Sequence, residues 1–471
     1  MMKRLSMVFV AIALVATLAC TGEALALEIR ASGQMVFQFG LLDNYVQGGK
    51  KFSKAEGDHF WARHRMRPQI EFIASENIRG VFQFQFGIAH WGDEKAGTQL
   101  DTTSESFKTR QAYIDFKALD SRLQTRMGMQ LFTTPHAVAG TSVMNAPVAG
   151  VLVSYAFTDS FSLGLFWARP YLNTDSAATD GLKDNAMDLF ALMADLDFEE
   201  ARLQPYFIYG RIGADSGIAN KWKNTAPGAN ANPLGSDRAA GDRYSNLYLG
   251  ALSAKVNAAD NLTVNFDGIF SYLKNEASDT AGYLDRANGY FLTLGVDYGL
   301  EMGTLGGIAW YGSGNERDDY RRGKLGELVT ISRNHSGFKP TRFGTSGTYA
   351  MGDGSMLTGT GAGTYGAGLH LKDFSLIENL SHTARAYHIG GTNDNDMYKE
   401  GQTRMVFGDG LVLLKKDRGL ELNLDTRFDV YPGFMILLEL GYIHMDWHKG
   451  AERGFDKSNV YNAQILFDYK F

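Results

Sequence analysis

Long apolar runs, cysteines and prolines are all scarce in this chain of 471 residues, and each scarcity excludes a class of structure. After the N-terminal segment, no stretch of 18 or more apolar residues occurs, so no transmembrane helix is predicted. The one cysteine, Cys20, excludes an intramolecular disulfide. The net charge of −6 is mild, so the composition gives no reason to expect a nucleic acid as partner.

The N-terminal segment has the features of a secretory signal peptide. Lys3 and Arg4 form a short basic region, Met7–Ala19 is an apolar run, and the small residues before position 27 suit a signal peptidase. We therefore expect residues 1–26 to be removed and residues 27–471 to form one β-barrel domain.

Cys20 allows a second interpretation of this segment, in which it is the lipid-bearing residue of a lipoprotein. Thr17 stands where that motif has an aliphatic residue. Loss of Cys20 with the signal peptide is the favoured interpretation.

What the chain does contain is glycine, at 54 positions, and aromatic residues, at 12% of the sequence. The mean hydropathy is −0.21, too low for a helical membrane protein. A barrel strand has one apolar and one polar face, so a membrane barrel keeps its average hydropathy low. The composition therefore favours a barrel over a soluble protein of this size.

Apolar residues recur at every second position through most of the chain. In one segment Phe82, Phe84 and Phe86 alternate with Gln83 and Gln85. This period of two is typical of a strand with two different faces, whereas helical apolar residues recur every three or four positions. The chain is therefore predicted to be all-β.

Short polar turns and long loops alternate between these segments, eight turns against nine loops. This predicts a closed antiparallel transmembrane β-barrel of about 18 strands, with short periplasmic turns and long extracellular loops. Sixteen strands is the alternative, because the segment 110–116 has no clean parity and 381–389 fits two registers. Closure follows because hydrocarbon offers no partners for the backbone groups of an open edge.

The chain ends with apolar residues at every second position and a terminal phenylalanine. The outward set is Tyr461, Ile465, Phe467, Tyr469 and Phe471. This pattern resembles the C-terminal assembly signature of outer-membrane barrels. The resemblance implies a bacterial outer-membrane location, surrounded by lipid and lipopolysaccharide, and insertion by the barrel-assembly machinery.

A further resemblance concerns the segment 109–116, which bears Arg110 and leads into 126–132. It is similar to a strand pair of the general diffusion porins. The whole layout resembles the homotrimeric outer-membrane porin family of sulfate-reducing bacteria. That family implies a homotrimer in which each barrel has its own pore.

In general porins the loop after the fifth strand folds inward and narrows the pore. Here that loop is predicted at 133–149, and it is unusually apolar for a surface loop. The candidate constriction residues are Pro135, His136, Val143, Met144 and Pro147. The loop lacks the acidic Pro-Glu-Phe-Gly motif of many porins. The alternatives are a loop covered by a neighbouring subunit and a loop that is simply compact.

Charged residues on the polar faces of strands are the candidate pore lining. A guanidinium that faced lipid at mid-membrane would cost roughly 2–4 kcal/mol, so such residues are expected to face the lumen. The positive candidates, with a neighbouring glutamine, are Arg63, Arg65, Arg67, Arg126 and Gln130. The opposing acidic candidates are Asp267, Asp297, Glu421, Asp425, Asp429 and Glu439. An ordinary salt-bridged lining is the alternative to a selective constriction.

The pattern predicts a water-filled channel for passive diffusion of small hydrophilic solutes and ions. The alternatives are a substrate-selective outer-membrane channel and a surface adhesin or structural barrel. We find no Ser–His pair suited to catalysis and expect no enzyme, no cofactor and no metal site. His444 and His448 lie four apart, but the surrounding pattern is that of a strand entering a loop.

Overall fold

The architecture was obtained from a computed structural model of the full chain. The structure describes residues 27–43, 59–93, 98, 100, 107–172, 185–213, 216, 244–275, 284–331, 338, 360–401, 405–407, 411–455 and 458–471. The predicted signal peptide, 1–26, lies outside the described residues, and its removal stays a prediction.

Strands make up most of the described chain, and their alternating sequences explain why they form. Their bounds are Glu28–Asp43 (β1), His59–Ser75 (β2), Ile78–His90 (β3), Phe107–Ala118 (β4), Leu123–Thr133 (β5), Asn145–Thr158 (β6), Phe161–Leu172 (β7), Ala186–Asp197 (β8), Ala201–Gly213 (β9), Tyr244–Ala259 (β10), Leu262–Asn275 (β11), Arg286–Leu300 (β12), Gly303–Gly312 (β13), Lys324–Leu325 (β14), Thr364–Ile377 (β15), Leu380–Gly391 (β16), Arg418–Tyr431 (β17), Phe434–Asp446 (β18) and Asn459–Lys470 (β19). The helices are short: α1 (Arg317–Arg321), α2 (Gly450–Arg453) and a 3₁₀ turn at Met397–Glu400.

Eighteen of these strands form one closed wall. Each pairs antiparallel with its neighbours, and β1 pairs with both β2 and β19, which removes the free edges of the sheet. The two-residue β14 lies in a loop and pairs in parallel with the start of β12. The prediction of an 18-stranded closed barrel is confirmed, and the alternative of sixteen strands is wrong.

Turns and loops alternate along the described wall as predicted. Short turns lie at the end of the barrel where β1 begins, and they join β2 to β3, β4 to β5, β6 to β7, β8 to β9, β10 to β11, β12 to β13, β15 to β16 and β17 to β18. The longer connections lie at the opposite end. Among the described residues, no helix is long and apolar enough to cross a membrane.

The outer face of the wall is apolar. Along β12, Tyr290, Leu292 and Leu294 are exposed, while Phe291 and Thr293 between them are buried inside. The outer face therefore presents the surface that a hydrocarbon layer would cover.

A bulge explains why β4 has no clean parity in the sequence. Gln83 pairs with Gln111, but the next residue, Phe84, pairs with Thr109, so Arg110 is the extra residue. A bulge puts two residues of one strand opposite one residue of its partner. The Arg110 and Gln111 side chains consequently both reach glutamines of β3, namely Gln85 and Gln83.

Long connections fold back into the barrel and fill part of it with apolar side chains. The Val329 N–H donates to the Ser271 hydroxyl of β11 at 2.9 Å, and the Thr330 hydroxyl donates to the Phe407 carbonyl. Buried loop side chains pack against the inner faces of β7–β13, and they include Val138, Val143, Leu328, Val329, Phe338, Phe407 and Leu413. Much of the interior behind these strands is therefore an apolar core.

The last residue completes the closure of the wall. The Phe471 N–H donates to the Gly33 carbonyl at 3.1 Å, and the Gly33 N–H donates to the Phe471 carbonyl at 2.8 Å. Both bonds extend the pairing of β19 with β1 by one residue.

We predict that deletion of Phe471 lowers the yield of inserted barrel, because it removes these two bonds and the terminal outward aromatic ring. The measurement is the fraction of protein that resists heat-induced loss of compact mobility on a gel after insertion into outer membranes. Phe471→Trp is the control, since it keeps the backbone and an aromatic ring. Insertion of the truncated chain at the control's yield would contradict this role.

Candidate pore lining

The first relay of side chains joins an arginine to a carboxylate through two glutamines. The Arg63 Nε donates to Gln38 Oε1 at 2.8 Å, and Gln38 Nε2 donates to Gln464 Oε1 at 2.9 Å. Gln464 Nε2 then donates to Glu439 Oε2 at 2.6 Å. The four residues lie on β2, β1, β19 and β18, and all are buried. The relay therefore crosses the point where the barrel closes.

A second relay runs beside the first. Arg65 Nη2 donates to Gln34 Oε1 at 3.0 Å, and Gln34 Nε2 donates to both oxygens of Asp468 at 2.9 and 3.0 Å. Each glutamine accepts from the cation and donates toward the acid, which suits both amide groups. Glu439 and Asp468 thus compensate Arg63 and Arg65 at a distance.

The third arginine has different surroundings. Arg67 Nε and Arg110 Nη1 both donate to Gln85 Oε1, at 2.8 and 3.3 Å. Gln85 donates onward to the Gly87 carbonyl rather than to an acid. Among the described residues, no carboxylate forms a salt bridge with Arg67 or Arg110. Positive charge is therefore less compensated here than at Arg63 and Arg65.

Glutamines continue around the wall as a ladder. Gln111 Nε2 donates to Gln83 Oε1, Gln83 Nε2 to Gln69 Oε1, both at 3.1 Å, and Gln69 Nε2 to Glu71 at 2.8 Å. At its other end, Gln111 Oε1 lies 3.4 Å from the Leu131 N–H. The inner face of β2–β4 is consequently lined with amides.

The remaining predicted positive residues are firmly bonded. Arg126 holds Asp115 by two bonds of 2.6 and 2.9 Å, and Arg79 reaches the same carboxylate at 3.0 Å. Gln130 is buried and donates to the Gly150 carbonyl of β6 at 3.1 Å. Arg126 thus belongs to an ion-pair network with Arg79 and Asp115 near the short-turn end, apart from Arg63, Arg65 and Arg67.

A cavity of about 480 Å³ lies in front of the glutamines and the third arginine. Its charged lining residues are Arg67, Arg110 and Lys470, and Gln34, Gln69, Gln83 and Gln111 contribute amides. Among the described residues, no aspartate or glutamate side chain lines it. The polar part of the interior is therefore net positive at this cavity.

The loop after β5 lies inside the barrel. The N–H groups of Ala137 and Val138 donate to the two oxygens of Asp267 on β11, at 2.8 Å each. Val143 and Met144 are buried, and Pro135 and His136 lie on the same inward segment. Its bounds differ from the prediction, because β6 begins at Asn145. Pro147 is therefore a strand residue opposite Leu131 and not part of the loop.

Asp297 is held by side chains of a neighbouring part of the wall. Its Oδ1 lies 2.7 Å from His370 Nε2 and 3.3 Å from Lys372 Nζ, and His370 Nδ1 lies 3.2 Å from the Tyr387 hydroxyl. Asp297 and His370 are on β12 and β15 and meet across β13. They can meet because Gly306 stands between them, where a Cβ atom would lie 2.3 Å from Asp297 Oδ1 and 2.5 Å from His370 Nε2.

The other predicted carboxylates lie on β17. Glu421 is fully buried, and Asp425 is bonded to Arg385 of β16 at 2.5 Å. Asp429 is half-exposed near the short turn and pairs with Arg427 two residues away. The acids are thus spread over several strands and engaged locally, and the structure does not bring them together as a single wall.

Sequence reasoning missed the residues that connect the predicted ones. Gln34, Gln38, Gln464 and Asp468 all stand on the polar faces of the first and last strands, so alternation could have marked them. Their contacts with residues of β2 and β18 depend on the register in which β1 pairs with β19, and alternation does not predict that register. Alternation could not place Arg110, because it is the extra residue of the bulge in β4. It could not place His370 either, because that residue meets Asp297 across the intervening strand β13.

The chain has the fold of solved bacterial barrels. No family model and no curated protein matches it. OpdG of Pseudomonas aeruginosa aligns with 11% identity over 94% of this chain and 98% of its own, with a TM-score of 0.52. For OccAB1 of Acinetobacter baumannii the values are 12%, 94%, 96% and 0.52. For the outer membrane protein OpdK of Pseudomonas aeruginosa they are 9%, 94%, 98% and 0.51.

Fold and interior together define a closed, 18-stranded antiparallel barrel with an apolar exterior and a partly polar interior. At these identities the likeness to the solved structures is one of fold. It therefore supports the architecture and says nothing of the residues of the interior.

Gly306 offers a test of how tightly the wall is packed. We predict that Gly306→Ala lowers the free energy of unfolding by about 1–3 kcal/mol, the usual cost of overpacking, because the methyl group displaces Asp297 and His370. Urea unfolding in detergent measures this. Gly80→Ala is the matched control, since a Cβ there meets nothing within 4 Å. Equal stability of the two variants would contradict the close contact.

Proposed function

We propose that this protein is an outer-membrane porin, a water-filled channel for passive diffusion of small hydrophilic solutes and ions, without catalysis. The observation that carries the proposal is the polar cavity inside a closed wall whose outer face is apolar. A wall of this kind is stable in a bilayer because its backbone groups bond to one another. The interior then offers water a path that hydrocarbon does not.

The channel is proposed to favour anions, and Arg67 with Arg110 to contribute most. Arginine stays protonated at every relevant pH, so this charge is permanent. Arg63 and Arg65 are linked to acids through glutamines, whereas Arg67 and Arg110 share one neutral amide. Lys470 adds a third cation at the cavity.

The inward loop is proposed to be the constriction. Its tip is bonded to β11 at Asp267, six strands away from β5 along the wall, so the loop crosses the interior. It packs with other loop residues on the apolar side of the barrel. Solutes are therefore expected to pass on the side of the arginines and glutamines.

A substrate-selective channel is the second candidate, and one observation favours it. Inward loops fill much of the interior behind β7–β13, which leaves a narrower polar passage than an 18-stranded wall alone would. A narrow, amide-lined and cationic passage favours solutes that carry negative charge and hydrogen-bonding groups.

Assembly and location complete the proposal. We place the protein in the bacterial outer membrane, with its short turns in the periplasm, inserted by the barrel-assembly machinery and surrounded by lipid and lipopolysaccharide. The likeness to the homotrimeric porins of sulfate-reducing bacteria suggests a homotrimer. Native mass spectrometry of the detergent-solubilised protein tests this.

The decisive experiment for the channel is single-channel recording in a planar bilayer. Large, steady, stepwise currents are expected from purified protein. A bilayer that stays silent while the same sample shows folded barrel by circular dichroism would contradict the proposal and favour a structural or adhesive role.

Substitution of single arginines tests the proposed selectivity. We predict that Arg67→Gln lowers the anion-to-cation permeability ratio by about two- to fivefold, since unit charges 4 Å apart in water interact by up to about 1 kcal/mol. Reversal potentials in a salt gradient measure the ratio. The effect should be largest at low salt, because the Debye length falls from about 30 Å at 0.01 M to about 3 Å at 1 M.

Arg63→Gln and Arg65→Gln are the matched comparisons on the same face of the same strand. Arg63 and Arg65 are buried and do not line the cavity, so we expect each of these substitutions to lower the ratio by less than Arg67→Gln does. Each also leaves the acid of its relay without its cation, so we expect lower stability. Equal shifts for all three positions would mean that the relays do not compensate charge. An unchanged ratio in Arg67→Gln would remove it from the narrowest point.

Deletion of part of the inward loop tests the proposed constriction. We predict that removal of residues 137–145 raises the single-channel conductance and the size limit for neutral sugars, because the segment occupies the interior. Liposome swelling with sugars of increasing mass measures the limit. An unchanged limit in a folded variant would mean that the narrowest point lies elsewhere.

A further inference from the structure

Asp267 is a buried carboxylate that faces the tip of the inward loop. Only 4% of the residue is exposed. Its Oδ1 accepts from the Ala137 N–H and its Oδ2 from the Val138 N–H, both at 2.8 Å. Each oxygen therefore has its own backbone donor, in the manner of a two-pronged clasp.

No salt bridge among the described residues includes Asp267, and besides the loop tip the Ser253 hydroxyl of neighbouring β10 donates to it. Burying a carboxylate is unfavourable unless donors replace the lost water. The two N–H groups are such donors, and hydrogen bonds to a charged acceptor are stronger than those between neutral groups. The charge and the loop tip thus stabilise each other.

The base of the loop is held in another way. The Thr134 N–H donates to the Met144 carbonyl at 3.0 Å, which closes the base. On its returning side, the carbonyls of Thr141 and Val143 accept from the N–H groups of Phe338 and Ile331, at 2.9 and 3.1 Å. The tip at Ala137–Val138 is held by its hydrogen bonds to Asp267.

The wall next to Asp267 is shaped to receive the tip. A Cβ atom at Gly295 on β12 would lie 3.3 Å from Val138 Cγ1, so the glycine lets the valine lie close to the wall. Val138 is 3% exposed in this position. Ala139 and Gly140 follow with φ values of 51° and 99°, which turn the chain back directly after the contact.

We infer that Asp267 is a positioning residue for the channel: it fixes the tip of the inward loop to β11 and so sets the width of the passage. This rests on the proposed function for its effect on current, but not for the contact itself. Asp267 would thus affect permeation through the position of the loop. Its carboxylate bonds to the loop backbone and does not contact the solute.

The test measures docking of the tip independently of current. Val138→Cys places a thiol that is buried while the tip is docked, so a soluble thiol reagent modifies it only during opening, at a rate that follows the open population. The background carries Cys20→Ser so that no other thiol is present. The protein is kept folded in detergent throughout.

Asp267→Asn is the informative variant, because it keeps the shape of the side chain and replaces one acceptor oxygen by an NH₂ group. We expect modification of the thiol to become about 10- to 100-fold faster, the range for loss of one hydrogen bond to a charged acceptor. Asp195→Asn is the matched control, since that acid is paired with Arg202 on β9, away from the loop. It should leave the rate unchanged.

Ala137→Pro supplies a second variant that leaves Asp267 in place and removes one donor. It should also accelerate modification, and it carries the test if Asp267→Asn does not assemble. Equal rates in the background, Asp267→Asn and Ala137→Pro would overturn the inference while leaving the proposed channel intact. Faster modification with no channel current in any variant would support the contact between Asp267 and the loop tip and overturn the proposed function instead.

Discussion

Closure of the sheet between its first and last strands is the constraint on which the rest of this structure depends. Backbone groups at an open edge would have no partners in hydrocarbon, so β1 must find β19. That one pairing brings Gln38 beside Gln464 and Gln34 beside Asp468, residues more than 400 positions apart in the chain. Both relays from arginine to acid exist only because the wall is complete.

The interior divides into two regions of different character. Along β1–β4 and β17–β19, side chains of opposite charge are joined through amides or meet directly, and a polar cavity remains. Behind β7–β13, and at the long-loop ends of β16, β18 and β19, loops return into the barrel and pack as they would in the core of a soluble protein. An apolar exterior therefore encloses both a polar and an apolar region, and the inward loop after β5 contributes Val138, Val143 and Met144 to the apolar one.

Much of the wall could be predicted from alternation, because apolar and polar faces repeat with the pleat of the strand. Phe82 and Phe86 stood on the apolar face of one predicted strand and Tyr469 on the outward face of another, and all three are exposed. The contacts inside could not be predicted in this way. Asp267 was expected among charges that face the pore, yet it holds the backbone of a loop, and such docking depends on tertiary contacts that leave no periodic pattern. Pro147 was assigned to the loop after the fifth strand, but it lies in β6 opposite Leu131.

The glutamine relays have a consequence for how this barrel can vary over generations. A direct ion pair is broken by losing either of two residues, and a reversed pair restores it. In the relay from Arg65 through Gln34 to Asp468, the amide is oriented, its oxygen toward the cation and its nitrogen toward the acid. If the arginine and the aspartate exchanged places, the Gln34 amide would have to turn round to bond to both. Substitutions at these three positions, on β2, β1 and β19, are therefore expected to depend on one another, because loss of the Gln34 amide would separate both charges from their shared partner.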